Sequence, residues 1–305
     1  MDMQVNFGGL SLKNPVMTAS GTFGSGLEFA PYGDLTRLGG IVAKGLSLKP
    51  REGNPMPRIA ETPCGMLNAI GIQNPGVEHF VTKALPNLPW RKVAVIANLY
   101  ACDAAEFGEL AGVLAGEEGV AALEVNVSCP NVKEGGIAFG QDPAQITRVT
   151  EAVKKRAGNK HVMVKLSPNV TDIAVCAKAA EAGGADSLSL INTLSGMAVD
   201  IRNRKPRIAN VIAGLSGPAV KPVALRCVHQ AVHAVDIPVV GIGGISSAED
   251  ALEFLLVGAQ AVQVGTANFL RPDFAFGLAD AMESLLSEIG AKSLDEFRGS
   301  LQLPL

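Results

Sequence analysis

Short apolar runs rich in β-branched residues alternate along the chain with longer segments whose apolar positions recur at helical spacing. Eight runs read as strands: residues 15–18, 40–44, 93–98, 121–126, 161–166, 187–191, 238–242 and 261–265. Helical patterns over 104–115, 143–156, 171–182, 221–235 and 247–257 separate the later ones, and a last helix covers 272–289. The strands are apolar on both faces, as in a parallel sheet covered by helices on each side. Eight such units predict an α/β fold, a closed (β/α)8 TIM barrel, with a doubly wound open sheet as the alternative. Neither a tandem repeat nor a linker interrupts the pattern, so a single barrel domain over residues 1–305 is expected.

Two stretches break the rhythm. Residues 46–76 carry five prolines and no sustained helical period, and residues 192–218 are similarly irregular. Loops of this length are uncommon in compact domains unless they cover a site. They follow the second and sixth strands, which places both over the C-terminal face of a barrel, where active sites of this fold lie.

Composition narrows the picture. With 48% hydrophobic and 18% charged residues the chain can bury a sizeable core, and with only 5% aromatics that core is filled mainly by Val, Ile, Leu and Ala. Lys plus Arg number 26 against 29 Asp plus Glu, a net charge of −3 that argues against nucleic acid or a polybasic membrane anchor. No apolar run approaches the ~18 residues of a membrane span. The first residues, Met1-Asp2-Met3-Gln4-Val5-Asn6, lack the basic and apolar regions of a signal peptide. Cys64, Cys102, Cys129, Cys176 and Cys227 are scattered with no C-x-x-C pair, which fits neither a disulfide framework nor a zinc or iron–sulfur site. The expectation is a reduced, cytoplasmic protein with no metal of its own. The mean hydropathy of +0.26 is compatible with a substantial buried interface.

The candidate chemistry sits where the strands end. The second strand ends in Lys44, the third in Asn98 and the fourth in Asn126; the fifth reaches Lys165, and the sixth runs through Ile191 into Asn192-Thr193. A strand-end Lys or Asn is by itself an ordinary solvated turn residue. Five strands repeating it would put two ammonium groups and several amides around one mouth. Amides bond both the donor and acceptor edges of a planar heterocycle, and lysines serve an anionic group or a developing anion. The seventh and eighth strands end instead in Gly241-Ile242-Gly243-Gly244-Ile245-Ser246 and Gly265-Thr266-Ala267. Glycines let backbone N–H groups approach an anion, a helix starting near Ser247 adds its dipole, and loops after strands seven and eight commonly hold a phosphate in this fold. The first run lacks the third glycine of G-x-G-x-x-G, so it is no dinucleotide fingerprint. Cys129 follows the fourth strand and precedes Pro130, where a thiol could act as acid, base or nucleophile. His79, His161, His229 and His233 fall on helix or strand-start positions and read as structural or solvated.

Together these motifs resemble the class 1 dihydroorotate dehydrogenases, flavoproteins of pyrimidine biosynthesis, from Leu10 to the last helix. The resemblance rests on Ala19-Ser20-Gly21-Thr22, Lys44-Gly45, Arg51-Glu52-Gly53-Asn54-Pro55, Asn126-Val127-Ser128-Cys129-Pro130-Asn131 and the two glycine turns. Cys129 stands where the membrane-linked class has serine, and Glu61-Thr62-Pro63-Cys64-Gly65-Met66-Leu67-Asn68-Ala69-Ile70-Gly71 looks like the NAD-linked 1B catalytic subunit. Cys64 and Ile72 depart from the family, which favours a small residue such as serine and a leucine there.

The resemblance implies FMN as the phosphate ligand. Its phosphate would sit on Gly243, Gly244, Gly265 and Thr266, with Gly217 and Ser20 contributing. Asn98, Asn126 and Ile191 would line the ring and ribityl chain, Lys165 the pyrimidine edge of the flavin, and Lys44-Gly45 the region between flavin and substrate. Asn68, Ala69, Ile70, Gly71, Ile72, Asn126, Asn131, Asn192 and Thr193 would hold dihydroorotate with Lys44. Cys129 would take the C5 proton as hydride leaves C6 for flavin N5. The family also implies a partner subunit with FAD and a [2Fe-2S] cluster, in a heterotetramer that delivers electrons to NAD. Three other readings stay open on the residues alone: a fumarate-linked 1A enzyme, a phosphate-binding lyase with Lys44 or Lys165 as Schiff base, and a barrel that only binds a nucleotide.

Overall fold

The computed structural model describes residues 1–128, 133–134 and 137–304. Eight parallel strands, β1 (Val16–Thr18), β2 (Gly40–Val42), β3 (Ala94–Leu99), β4 (Ala122–Asn126), β5 (His161–Leu166), β6 (Ser187–Leu190), β7 (Val239–Ile242) and β8 (Ala261–Val264), close into a barrel. Each neighbours the next in chain order and β8 returns to β1. Their bounds agree with the expected ones to within two residues. This is the TIM barrel, not the open sheet.

Helices α1 (Ala104–Ala115), α2 (Pro143–Arg156), α3 (Ile173–Ala182), α4 (Lys221–Val232), α5 (Ala248–Leu256) and α6 (Phe274–Glu288) pack outside. Side-chain caps set where several begin. The Asp103, Asp142, Asp172 and Ser247 oxygens accept backbone N–H groups of the first turns of α1, α2, α3 and α5. Asp172 in the cap position is why α3 starts two residues later than its apolar period implies. Among the described residues no helix is long and apolar enough to cross a membrane.

The two irregular stretches are more ordered than their prolines indicate. Strands Ile59–Thr62 and Gly65–Asn68 form a hairpin, and strands Leu194–Gly196 and Ala213–Ser216 join it in one four-stranded antiparallel sheet. This sheet roofs the barrel mouth and has a small core of its own, Ala60, Leu67, Ile208 and Ala213. The pairing of Leu67 with Leu215 joins segments far apart in sequence, and neither segment alone is long enough to carry a strand period.

At the opposite end, the hairpin Val5–Phe7 and Leu10–Leu12 plugs the barrel. Its turn, Gly8-Gly9, has φ of 53° and 84°, the left-handed geometry favoured in two-residue hairpin turns. The alternation of buried Val5, Phe7, Leu10 and Leu12 with exposed Asn6 and Ser11 is a strand signal only three residues long on each side of the turn. His161, the first residue of β5, ties plug to barrel: its Nδ1–H donates to the Gly8 carbonyl (2.8 Å), leaving Nε2 to accept the Ser187 hydroxyl (2.7 Å). Phe7 packs edge-on against the same ring.

Burial holds the His161 imidazole below the ordinary histidine range, only partly offset by Gly8 and Asp186. The unfolded chain, titrating near ~6.5, therefore binds more protons than the native one between that value and the depressed native one. His161 stabilises the fold fully above that window and loses its contribution as pH falls through it. The melting temperature is expected to drop from about pH 7.5 to about pH 5, and His161→Gln to flatten part of that drop. Parallel pH profiles for the two proteins would remove His161 as the cause.

Candidate active site at the barrel mouth

Between the strand ends and the roof lies a cavity of about 560 Å³, within the range of small-molecule sites. Ser20 reaches it after β1, Lys44 and Gly45 after β2, Asn98 from β3, Asn126 from β4 and Lys165 from β5. Ile191, Asn192 and Thr193 follow β6, Gly243 and Gly244 follow β7, and Gly265 and Thr266 follow β8. The roof contributes Asn68, Ala69, Ile70, Gly71, Ile72 and Gly217. Every site residue expected from the sequence that falls among the described residues thus lines one cavity. Cys129 and Asn131 lie outside the described residues.

The cavity has one sign of charge. Lys44, Arg58 and Lys165 line it, and among the described residues no Asp or Glu does. Burial lowers the pKa of half-buried Lys44; Glu28 opposes the shift and Arg58 adds to it. Lys165 is 5% exposed, with its Nζ 3.9 Å from Glu124 Oε2.

Glu124 has no exposed surface and lies beneath the cavity inside the barrel. Its carboxylate accepts from Asn98 Nδ2 (2.6 Å), Ser189 Oγ (2.8 Å) and Gln263 Nε2 (2.7 Å). The site residues read from the sequence omit it. The signal was there: a carboxylate inside an apolar parallel-strand run, two residues before Asn126 and so on the same face. Asn98 gives its amide N–H to the carboxylate, and its buried Oδ1 has no partner among the described residues.

The other amides are held in place. Asn126 Oδ1 accepts from Asn192 Nδ2 (3.2 Å) and the Ser128 N–H (3.2 Å), the Thr193 N–H donates to Asn192 Oδ1 (2.7 Å), and Asn68 Nδ2 donates to the Gly214 carbonyl (3.3 Å). Ile72 stands in the wall at φ 54°, an uncommon and strained conformation for a β-branched residue, with its carbonyl taken by Asn74 Nδ2. Two further lining residues absent from the sequence reading are Arg58 and Ser216. Arg58 ties the loop through Asn54, Glu52 and Gln73, and the Ser216 hydroxyl accepts from Thr266 Oγ1 (2.8 Å), linking roof to strand end. An arginine amid prolines carries no periodic signal.

A family model described as dihydroorotate dehydrogenase matches residues 2–286. The chain belongs to this family. It is 77% identical, over the whole of both chains, to the "Dihydroorotate dehydrogenase B (NAD(+)), catalytic subunit" of Maridesulfovibrio salexigens. Proteins of the same name from Solidesulfovibrio magneticus and Pelobacter propionicus are 70% and 57% identical, each over 99% of both chains. In this dihydroorotate dehydrogenase fold the two glycine turns differ physically. Gly244 has φ 76°, and a Cβ there would lie 2.8 Å from the Lys221 nitrogen; at Gly265 a Cβ would meet only Ala19 and Thr22 at ordinary contact distances. Gly244 is required by the backbone itself, whereas Gly265 has room for a Cβ.

Gly244→Ala is accordingly expected to cost roughly 1–3 kcal/mol of stability, and Gly265→Ala no more than about 0.5 kcal/mol. Denaturant unfolding of the two variants checks this, and equal losses would contradict it.

Proposed function

We propose that this chain is the FMN-binding catalytic subunit of an NAD-linked dihydroorotate dehydrogenase, oxidising dihydroorotate to orotate in pyrimidine biosynthesis. The observation that carries the reading is the gathering of strand-end amides, lysines and glycine turns around one cavity without a carboxylate in its described wall. The names of full-length relatives give the acceptor and the subunit role. The reading takes residues 1–305 as one barrel domain, in keeping with an apolar core that runs from Met3 to Leu294.

The residues present fit FMN. The buried Asn98 Oδ1, unpartnered among the described residues, suits an N–H donor on the edge of a planar ring, and the glycine backbone at Gly243, Gly244 and Gly265 in the cavity wall suits a phosphate approached by backbone N–H groups. Gly243, Gly244, Gly265 and Thr266, with Ser20 and Gly217, would hold the phosphate. Lys44, Gly45, Asn98, Asn126, Lys165 and Ile191 would hold the rest. FMN bound there supplies a two-electron acceptor for the hydride leaving C6 of dihydroorotate.

The chain's own groups do the remaining work. Asn68, Asn126, Asn131, Asn192 and Thr193 orient the pyrimidine, with Ala69, Ile70, Gly71 and Ile72 closing over it and excluding water. Asn126 and Asn192 are already bonded to each other and Asn68 to the Gly214 carbonyl, so little reordering of these three accompanies binding. Lys44 offers its ammonium to the substrate carboxylate. Lys165 faces negative charge that develops during reduction, where a fixed cation in a dry site counts most. Cys129 takes the C5 proton as thiolate. As the family resemblance implies, a partner subunit with FAD and [2Fe-2S] in a heterotetramer would carry the electrons on to NAD; this chain shows no dinucleotide fingerprint or C-x-x-C pair of its own for a second redox centre.

Purified protein is expected to be yellow and to bleach anaerobically with dihydroorotate. Its flavin reduction should accelerate with pH as the thiolate of Cys129 forms, from a free-thiol reference near ~8.5. Cys129→Ala should keep FMN and substrate binding while slowing reduction by about 10²-fold or more in stopped flow; near-wild-type reduction would remove Cys129 as the base. Alone, the chain should reduce artificial acceptors but NAD only poorly until the partner is added. Efficient use of fumarate would move it to the 1A type, and a colourless protein trapped by borohydride with a keto substrate would favour the lyase.

A further inference from the structure

The barrel interior holds a carboxylate that the reaction above does not use. Glu124 is fully buried on β4, and its partners come from four other strands: Asn98 of β3, Lys165 of β5, Ser189 of β6 and Gln263 of β8. Barrels of this fold usually fill that space with branched apolar side chains. A buried ion pair is weak evidence of a stability role, because a well-packed apolar replacement is often as stable or more so. The arrangement itself points elsewhere. Two of the four partners, Asn98 and Lys165, line the cavity, while Ser189 and Gln263 do not. The carboxylate therefore sits between a supporting pair of donors below and two ligand-facing groups above.

We propose that Glu124 is a positioning residue for the reaction, fixing which way the Asn98 amide faces and where the Lys165 ammonium stands; this rests on the functional reading given above. An ionised carboxylate only accepts hydrogen bonds, so it takes the Asn98 NH2 and turns Oδ1 toward the ligand. Without it the two amide orientations differ little in shape, and the wall could present a donor where it now presents an acceptor. The same carboxylate supplies the counter-charge for an ammonium that is 5% exposed. An ammonium without a counter-charge in such a setting is driven toward water or toward its neutral form. Ser189 and Gln263 occupy Oε1, which leaves Oε2 for Asn98 and Lys165.

The test is a double-mutant cycle of Glu124→Gln and Lys165→Ala in full-length protein. It follows FMN affinity of the apoprotein, the flavin midpoint potential in a dithionite titration, and flavin reduction by dihydroorotate. Glu124→Gln is expected to slow reduction at saturating dihydroorotate by at least about tenfold while KM changes by less than about threefold. Its potential should shift negative, by about 30 mV for each tenfold loss of preference for the reduced state. In the Lys165→Ala background the same substitution should cost less than about threefold, because only the orientation of Asn98 is then left for it to disturb. Losses that multiply across the two backgrounds, or a positive shift of the potential, would overturn the proposal. If Glu124→Gln does not fold, Ser189→Ala removes one donor from the same carboxylate and should give a smaller loss that again shrinks without Lys165; full additivity there is equally fatal. A yellow, bleachable wild type with additive losses rejects Glu124 alone, whereas a colourless wild type rejects the functional reading and the proposal with it.

Discussion

The structure depends on a constraint at the barrel axis: a carboxylate removed from water must be hydrogen-bonded and its charge countered. Glu124 meets it with groups from β3, β5, β6 and β8, so the side chains that fill the barrel next to the mouth are polar and mutually oriented. Apolar side chains would pack as densely but would orient no polar group at the mouth. Hydrogen bonds and an ion pair to a common centre fix rotamers, and the rotamers of Asn98 and Lys165 shape the floor of the cavity. Around this centre the barrel provides what the site needs: eight strand ends converging on one mouth, with glycine turns where a phosphate fits and amides where a heterocycle fits.

Much of the fold was legible in the sequence because its elements announce themselves locally. The strands of the barrel are short, apolar on both faces and separated by helices with their own period. The acidic caps Asp103, Asp142 and Asp172 mark helix starts. The roof was legible only as two irregular stretches. Its strands pair with partners far away in sequence, and no local window contains the information that Met66 faces Ser216. The N-terminal hairpin had a readable alternation around Gly8-Gly9, but its strands are three residues long, too short for periodicity to stand out.

The site divides along similar lines. Residues at strand ends were found because the fold prediction already said where strand ends meet. Glu124 lies one layer deeper, and its importance comes from partners contributed by other strands. Arg58 sits in a loop tied by its own backbone contacts, where neither period nor motif distinguishes it. What a single sequence conveys well is which residues reach a common mouth. It conveys poorly what stands behind them.

The register of the roof sheet limits how this site can change over time. Successive residues of a strand face opposite ways: Leu67 is buried in the roof's small core, while its neighbours Met66 and Asn68 line the cavity. Replacing a side chain there alters the cavity wall and leaves the pairing intact. Inserting or deleting one residue would turn Leu67 toward the ligand and Asn68 toward the apolar core, and would displace the pairing with Ala213–Ser216 as well. Variation in this part of the molecule is therefore confined to substitution at fixed length, even though the chain between strands looks, from its prolines, like a loop free to grow.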